Sequence, residues 1–360
     1  MMKCPNHSDE KQIASKNIGY CGNCLIGHPE RLRGAEEAHE SLREKMGLVP
    51  KVSRDGETTC AECGNHCRLE NGELGFCGLR TARAGRIIER YQDSTIISWY
   101  RDPLPTNCVA DWVCPVREQR YTINGKRRHN LAVFYGSCNS DCFFCQNSSY
   151  KDMMRDGRPL MTPDQLASMT DETTACLCFF GGDPSCNAEH SIETARRAKE
   201  ITDVTICYET NGNISKKWLQ PIADIVQRHG GTIKFDLKAV SGEIYTALTG
   251  ISNSTVLRNF QVLAKRGRNC DGEFLVASIL LVPGYVGTKE VRRVSQFIAD
   301  CDDTIPTALL GFQPHHWMRD LPRTSRRHAE RAKEVAEEAG LKNVRIGNRG
   351  LLSRVDYHVD

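Results

Sequence analysis

The sequence has 360 residues and contains no apolar run of about 18 residues, the length that a transmembrane helix requires. Its first residues are polar and do not form the apolar core of a signal peptide. We therefore expect no membrane span and a cytoplasmic location. The sequence also lacks a large net charge, because the formal value is only +3. Charge alone does not favour nucleic acid as a partner, although it leaves that partner open.

Cysteine, by contrast, is abundant, with 18 residues in the chain. In a chain without a secretion signal, many cysteines indicate metal ligation rather than disulfides, because the compartment is reducing. The sequence therefore predicts several metal sites. Since oxygen destroys exposed iron–sulfur clusters, this cysteine content fits an anaerobe or an oxygen-protected setting.

Residues 1–28 contain two close pairs of ligand residues. Cys4 and His7 have the spacing C-x2-H, and Cys21 and Cys24 have the spacing C-x2-C. Two such pairs separated by a loop are typical of a zinc-ribbon-like knuckle. So short a segment cannot bury a core of its own, so metal binding is expected to supply its folding free energy. An iron–sulfur site and an unstructured tail are the alternatives.

The next segment, residues 29–55, is charged and is interpreted as a linker with a helical piece near residues 34–46. Residues 56–130 form a Cys-rich module, in which four cysteines have the spacing C-x2-C-x3-C-x9-C. They are Cys60, Cys63, Cys67 and Cys77. Four protein ligands close a metal site, so we expect a structural or electron-relaying role for zinc or a second iron–sulfur cluster. Cys108 and Cys114 could complete another site, but two cysteines are not a ligand set, so they are left unassigned, with buried thiols as the preferred interpretation.

From residue 131 onward, apolar and β-branched runs alternate with amphipathic segments. This alternation predicts βα units around a parallel sheet. The expected fold is α/β, with small Cys-rich metal-binding modules before a partial (β/α)6 barrel over residues 131–320. A C-terminal helix and strand occupy residues 321–360. The barrel strands are expected near residues 131–137, 175–181, 203–209, 232–237, 273–282 and 306–313.

The loop after the first barrel strand holds Cys138, Cys142 and Cys145, with the spacing C-x3-C-x2-C. Three thiolates so close together can hold one iron–sulfur cube. A [4Fe–4S] cube with three protein ligands keeps one iron open to an outside ligand, which is typical of a catalytic cluster. A zinc knuckle or unpaired buried thiols are the alternative interpretations.

Polar residues follow the other strands, at the end where functional groups of parallel barrels gather. Strand 2 ends in two glycines and an aspartate, and strands 3, 4 and 5 end in further polar side chains. These residues are Gly181, Gly182, Asp183, Glu209, Asn211, Asp236, Lys238 and Ser278. Helix caps and an ion pair at the barrel rim are the alternative for them. His315 and His316 follow strand 6, either as proton donors, substrate contacts or metal ligands, or as ordinary surface residues.

Together these motifs resemble the radical S-adenosylmethionine (SAM) superfamily. The resemblance is carried by the segments YGSCNSDCFFCQN, FFGGDP, YETNG and FDLK. Within the superfamily the pattern is similar to the pyruvate formate-lyase activating enzymes and their AmmeMemoRadiSam-type branch, over about residues 60–360. Asp183 stands where the family usually has glutamate, and Cys108 and Cys114 are additional. The resemblance therefore defines the cofactors better than the substrate.

The resemblance implies a [4Fe–4S] cluster on the three cysteines after strand 1, with SAM on the open iron. It implies that Phe144 packs on the adenine, and that the two glycines and Asp183 bind the SAM amino group. The remaining strand-end residues are expected to position the rest of SAM. Asp236, Lys238 and His315 are the expected catalytic residues.

The expected function is reductive cleavage of SAM to a 5′-deoxyadenosyl radical that abstracts hydrogen from a macromolecular substrate, a protein or peptide. Reduced ferredoxin or flavodoxin is the expected electron donor. One alternative is a cobalamin-dependent methyltransferase acting on a protein such as methyl-coenzyme M reductase, although no Asp-x-His-x-x-Gly cobalamin signature occurs. A tRNA-modifying enzyme and a non-catalytic zinc-ribbon binding protein are further alternatives.

Overall fold

The computed structural model describes residues 2–7, 12–106, 108–114, 121–270 and 273–359. Its strands are β1 (Met2–Lys3), β2 (Ile13–Ala14), β3 (Thr58–Thr59), β4 (Arg68–Leu69), β5 (Arg80–Arg83), β6 (Arg86–Glu89), β7 (Thr95–Pro103), β8 (Thr122–Ile123), β9 (Lys126–Arg127), β10 (His129–Tyr135), β11 (Leu160–Met161), β12 (Thr174–Gly181), β13 (Thr205–Thr210), β14 (Ile233–Asp236), β15 (Leu275–Leu281), β16 (Thr307–Gly311) and β17 (Val344–Ile346). Its helices are α1 (Gly22–Gly27), α2 (Leu32–Lys45), α3 (Tyr150–Asp156), α4 (Pro163–Ala167), α5 (Ala188–Ile201), α6 (Lys216–Arg228), α7 (Gly242–Thr249), α8 (Ser254–Gly267), α9 (Thr288–Asp302) and α10 (Arg326–Glu338). Among these helices, none combines the length and the apolar character needed to cross a membrane.

A nine-stranded sheet, in the order β11-β7-β10-β12-β13-β14-β15-β16-β17, carries the site. Neighbours from β10 to β17 run parallel, and intervening helices connect them. The α/β class and the six predicted barrel strands are therefore confirmed, and β17 is the predicted C-terminal strand. On the other edge, β7 pairs antiparallel with β10 and β11 pairs antiparallel with β7.

Several helices begin where their capping residues predict. The Thr162 side chain accepts from the Gln165 N–H and completes the capping box of α4. The Ser325 side chain accepts from the His328 N–H at the start of α10. Helix α7 was not predicted, because eight residues are too few to establish a helical period.

The loop between Cys138 and Cys142 is held by a buried carboxylate, Asp141, whose side chain has no exposed surface. Its Oδ1 atom accepts from Lys151 Nζ at 2.5 Å and from Arg43 Nη1 at 3.3 Å. Its Oδ2 atom lies 2.7 Å from Nδ1 of His39. Burial alone would raise the pKa of Asp141, but the His39 hydrogen bond and the two cations hold it well below its ordinary range.

Helix α2 supplies two of these partners, although its segment was expected to be a linker. The side chain of Arg43 is fully buried, and its Nη2 atom also donates to the Phe76 carbonyl at 2.9 Å. The His39 ring stacks on Phe143, with 3.6 Å between the ring centres. Side chains at i and i+4 of a helix lie on one face, which explains how both reach the same carboxylate.

The backbone of the cysteine loop is anchored to two other parts of the chain. The N–H groups of Asp141 and Phe143 donate to carbonyls of the last two residues of α7, at 2.8 and 3.0 Å. The Phe143 carbonyl accepts from the Trp317 N–H at 2.9 Å. The loop backbone is therefore held by residues that lie far away in sequence.

Replacing Asp141 by asparagine should destabilise the protein strongly, because it removes the negative charge between two buried cations. We expect Asp141→Asn to lower the free energy of unfolding by about 3–5 kcal/mol, measured by urea denaturation of the metal-free protein. The matched control is Asp156→Asn, whose carboxylate pairs with Arg155 on the surface and should have no measurable effect. Equal stability of the two variants would contradict this account of the loop.

Candidate active site and metal centres

A cavity of about 210 Å³ opens at the carboxyl ends of the parallel strands. The three cysteines after β10 form part of its wall, and residues that end β12, β13, β14 and β15 complete it. The fold therefore brings the predicted strand-end residues together. Those in the lining are Phe144, Gly182, Asp183, Glu209, Asn211, Asp236, Lys238 and Ser278. Gly181 and His315 lie outside the lining.

The three cysteines of this cavity are held in one short turn. The Cys145 N–H donates to the Cys142 carbonyl at 3.1 Å, and the Ser140 N–H donates to the Cys138 sulfur at 3.4 Å. Burial raises the pKa of all three thiols, to about 12 for Cys142. A cationic metal must therefore displace the thiol protons. The donor set fits an iron–sulfur cluster with three protein ligands.

The glycine pair after β12 is required by close packing against β10. A Cβ atom on Gly181 would lie 1.9 Å from the Phe134 ring. A Cβ atom on Gly182 would lie 2.1 Å from the Tyr135 carbonyl oxygen, and the φ angle of Gly182 is +60°. Close packing therefore explains why both positions are glycine, without reference to a cofactor. Gly182 also borders the cavity.

The Asp183 carboxylate is buried and organises the loop after β13. It accepts from the Asn211 N–H at 2.7 Å, from the Thr210 hydroxyl at 2.9 Å and from the Ser185 N–H at 2.9 Å. Burial nevertheless raises its pKa. In turn, the Asn211 side chain donates to Asn139 Oδ1 at 2.8 Å, within the cysteine loop.

Three predicted residues form a hydrogen-bonded group beside the cysteines. Lys238 Nζ donates to Asp236 Oδ2 at 2.9 Å, and Ser278 Oγ donates to Asp236 Oδ1 at 2.5 Å. The Lys238 ammonium lies 5.7 Å from the centre of the Phe144 ring. Burial would lower the pKa of Lys238, but the Asp236 carboxylate and the Cys142 sulfur raise it above its ordinary value. The cavity therefore contains a fixed cation that can hold an anionic group.

The two histidines after β16 have different surroundings. His315 Nε2 lies 3.4 Å from the Ser148 hydroxyl. His316 Nε2 accepts from Lys151 Nζ at 2.9 Å, and burial together with the Lys151 cation lowers the His316 pKa to about 3. His316 is therefore neutral and extends the Asp141 network, whereas a catalytic role for His315 stays a prediction.

The second cysteine group adjoins the loop of Cys138, Cys142 and Cys145 and has a neighbour that the sequence did not indicate. Its four cysteines, Cys60, Cys63, Cys67 and Cys77, are all buried. Cys186, three residues after Asp183, is hydrogen-bonded to Cys77. This bond and the nearby Arg80 cation lower the pKa of Cys77 to about 6, against the effect of burial. In the sequence, the position of Cys186 shortly after Gly181, Gly182 and Asp183 was the feature that could have indicated this fifth thiol.

Buried asparagine side chains connect the group of Cys60, Cys63, Cys67 and Cys77 to the loop that contains Cys138, Cys142 and Cys145. Asn65, which lies between Cys63 and Cys67, donates to the Asn139 carbonyl at 2.8 Å. Asn213 donates to Asn65 Oδ1 at 2.7 Å, and Asn139 donates to the Asn213 carbonyl at 2.9 Å. The two cysteine loops are therefore joined directly through side chains.

The N-terminal ligands Cys4, His7, Cys21 and Cys24 converge, with all four ligand atoms within 4.8 Å of one another. Tetrahedral zinc, with bonds of about 2.0–2.3 Å, requires such compact spacing. Within the described ranges, no other set of three His, Cys, Asp or Glu ligand atoms is so compact. The thiolates that bind an iron–sulfur cube lie farther apart than the ligands of one ion. The short distances between the N-terminal ligand atoms therefore favour a single ion.

The N-terminal group is docked on the loop after β15. The Gly22 N–H donates to the Gly284 carbonyl at 2.8 Å, and the Ser15 N–H donates to the Tyr285 hydroxyl at 2.9 Å. The Lys16 N–H donates to the Asp320 carboxylate at 2.8 Å. The metal ligands therefore belong to a segment that packs on the barrel.

A crescent of parallel strands with an incomplete cysteine ligand set at its carboxyl end defines a class of enzyme that uses a cluster with an open iron. Residues 132–294 match the family model described as the radical SAM superfamily. This part of the chain is a radical SAM domain, which implies a [4Fe–4S] cluster and SAM as cofactors.

Individual relatives are more distant. An uncharacterized protein of Methanocaldococcus jannaschii is 23% identical over 312 residues, which is 85% of this chain and 85% of the relative. The isethionate sulfite-lyase activating enzyme of Desulfovibrio desulfuricans is 24% identical over 152 residues, or 41% of this chain and 46% of that enzyme. The solved domain of a pyruvate-formate lyase-activating enzyme from Bacteroides vulgatus has a TM-score of 0.38 and 19% identity, covering 48% of this chain and 99% of that domain.

The packing of Gly182 can be tested against a glycine of the same conformation in open space. Gly230 has a φ angle of +61°, and no atom lies within 4 Å of the position that a Cβ atom would take there, so Gly230→Ala should cost about 1–2 kcal/mol of unfolding free energy. Gly182→Ala should cost about 1–3 kcal/mol more, because its Cβ meets the β10 backbone. Thermal denaturation measures both, and equal losses would show that the close approach is unimportant.

Loss of the N-terminal metal should loosen the docked segment. We expect Cys24→Ala to contain one metal ion fewer than the wild type by elemental analysis, with faster hydrogen exchange over residues 12–25 because metal ligation no longer holds the segment together. Cys301→Ala, at a half-buried thiol in α9, is the control and should retain the full metal content. Unchanged metal content in Cys24→Ala would rule out this ligand set.

Proposed function

We propose that the protein is a radical SAM enzyme that modifies a protein or peptide by hydrogen abstraction, with Cys138, Cys142 and Cys145 as cluster ligands. The observation that carries the proposal is the shared cavity, in which an incomplete cysteine set faces the polar ends of four strands. When bound, the reduced cluster supplies the electron that cleaves SAM to methionine and the 5′-deoxyadenosyl radical. A reduced ferredoxin or flavodoxin is the proposed source of that electron.

The cavity residues have separate roles in binding and orienting SAM. Phe144 offers an aromatic face for the adenine, and Lys238 offers a cation for the carboxylate. Asp236 is fixed by two hydrogen bonds and keeps the Lys238 ammonium in place. Asp183 and Glu209 are the proposed partners of the amino and hydroxyl groups. These residues exclude water and hold SAM in one orientation, while the radical chemistry belongs to the cofactors.

A row of aromatic side chains is evidence for a large substrate that enters over the open edge of the sheet. Phe180 lines the cavity and packs on Phe134, with 4.3 Å between ring centres. Phe134 in turn stacks on Tyr100 of β7 at 5.5 Å, and Tyr100 is 46% exposed. The row runs from solvent to the cavity and fits the apolar and aromatic side chains of a peptide. The similarity to an activating enzyme, whose name indicates an enzyme as its target, agrees with a protein substrate.

The Cys60, Cys63, Cys67 and Cys77 group is proposed to hold a second metal centre, as zinc or an iron–sulfur cluster. Its direct amide connection to the catalytic loop supports a structural or electron-relaying role. The Arg80 cation near Cys77 favours the thiolate form, which is the form that ligates a metal.

The test is an anaerobic assay of reconstituted, reduced protein with SAM, scoring 5′-deoxyadenosine and S-adenosylhomocysteine together. We expect the wild type to form deoxyadenosine and Cys142→Ala to form none, because the cluster loses a ligand. Cys270→Ala, at a half-buried thiol away from the cavity, is the control and should keep the activity. The same deoxyadenosine yield in Cys142→Ala and the wild type would overturn the ligand assignment.

The same assay distinguishes the reaction type. If S-adenosylhomocysteine forms only when cobalamin is added, methyl transfer becomes the leading reaction instead of hydrogen abstraction. Absence of deoxyadenosine, with iron too low for one cube, would overturn the enzyme proposal and favour a zinc protein. Neither result depends on knowing the substrate.

A further inference from the structure

A second cavity lies inside the sheet crescent, towards the amino-terminal ends of the strands. Its volume is about 30 Å³, and cysteines from two distant parts of the chain line it. Three come from β12 and β13, and two come from the segment between β7 and β8. They are Cys108, Cys114, Cys176, Cys178 and Cys207. None of these thiols takes part in the function proposed above.

The strand geometry explains why the cysteines face one space. Side chains alternate along a strand, so Cys176 and Cys178 of β12 point to the same face. Cys178 is the register partner of Cys207 on the neighbouring parallel strand β13. Both positions lie two or more residues before the strand ends that form the SAM cavity. The cysteines of β12 and β13 therefore face the space below that cavity, on the same inner face.

A buried lysine links the two groups of cysteines. Lys234 Nζ lies 2.9 Å from the Cys178 sulfur and 3.3 Å from the Cys108 sulfur. Among the described residues, the carboxylate within 4.0 Å of this ammonium is Glu209, at 3.6 Å. Buried ammonium groups require anionic partners that are close and well aligned. Two sulfur atoms thus occupy positions next to the Lys234 ammonium where an anionic partner would be stabilising.

Simple burial of neutral thiols does not account for this arrangement. Cysteine does serve as a small apolar core residue, and Cys176 fits that description in part, since its thiol donates to Asn130 Oδ1 at 3.3 Å. However, an apolar filling gives no reason to place an ammonium against two sulfurs. A divalent ion with four thiolates carries two net negative charges, which Lys234 would partly offset.

We propose that Cys108, Cys114, Cys178 and Cys207 bind one thiophilic divalent ion, such as zinc, inside the barrel. The cavity has room for an ion but not for an iron–sulfur cube. On binding, four sulfur–metal bonds form and the four thiol protons pass to solvent. The four sulfurs are less compact than the N-terminal ligands, so binding draws the segment that carries Cys108 and Cys114 towards the strands.

The site has a direct connection to the SAM cavity. Lys234 lines the thiol cavity, Glu209 lines the SAM cavity, and the two side chains form an ion pair. An ion bound below Lys234 would therefore hold that ammonium, and through it Glu209, in a fixed position. The proposal itself rests on the thiol geometry and is independent of the reaction at the upper cavity.

The first test counts zinc ions on full-length, iron-free protein by anaerobic native mass spectrometry during titration with zinc. Cys178→Ala and Cys207→Ala should each bind one ion fewer than the wild type, because each removes a strand ligand. Cys176→Ala is the matched control, since it removes a buried neighbour on the same strand, and it should keep the wild-type count. A full count in both ligand variants, or an equal loss in Cys176→Ala, would overturn the proposed ligand set.

A second measurement uses the wild type alone and does not depend on the folding of variants. Iodoacetamide labelling is mapped cysteine by cysteine, with and without zinc. We expect zinc to suppress labelling of Cys108 and Cys114, which are half-buried, and to leave the half-buried Cys270 and Cys301 unchanged. Equal labelling of Cys108 and Cys114 under both conditions would overturn the proposal, whatever the activity with SAM.

Discussion

The Asp141 carboxylate, buried among His39, Arg43 and Lys151, holds the cysteine loop in place. An unpaired carboxylate at this depth would be strongly destabilised, and so would two unpaired cations. Each group therefore depends on the others, and the depressed pKa of Asp141 reflects this mutual dependence. The positions of the cysteines on both sides of Asp141 depend on these contacts. The radical SAM cavity thus rests on a polar cluster that contacts neither cofactor in the proposed arrangement.

Much of the barrel could be predicted from local sequence patterns. The alternation of apolar runs and amphipathic segments located the six parallel strands. The strand-end residues were also predictable, because the carboxyl ends of parallel strands must meet at one edge. Asp236, Lys238 and Ser278 lie in one hydrogen-bonded group for this reason.

Other features could not be predicted, because they depend on contacts between distant segments. Asp141 resembles any polar loop residue until Arg43 and Lys151 are seen around it. Cys108 and Cys178 are separated by a whole βα unit, and only the packing of the segment after β7 against the strands shows that they share a cavity. Helix α7 was missed for a related reason, since its eight residues are stabilised by packing on α2 and on the loop rather than by their own period. Gly181 was assigned to SAM on the basis of its motif, whereas the nearby Phe134 ring explains its lack of a side chain.

The anchoring of the cysteine loop has a consequence for the order in which the protein is made. The loop occupies residues 138–145, but its backbone is held by the end of α7 and by the N–H of Trp317. A growing chain on the ribosome has produced the cysteines long before it produces these anchors. The loop can make all of these contacts only after Trp317 has been synthesised. The cysteine loop therefore acquires its final shape late in folding, through contacts made by segments that are synthesised after it.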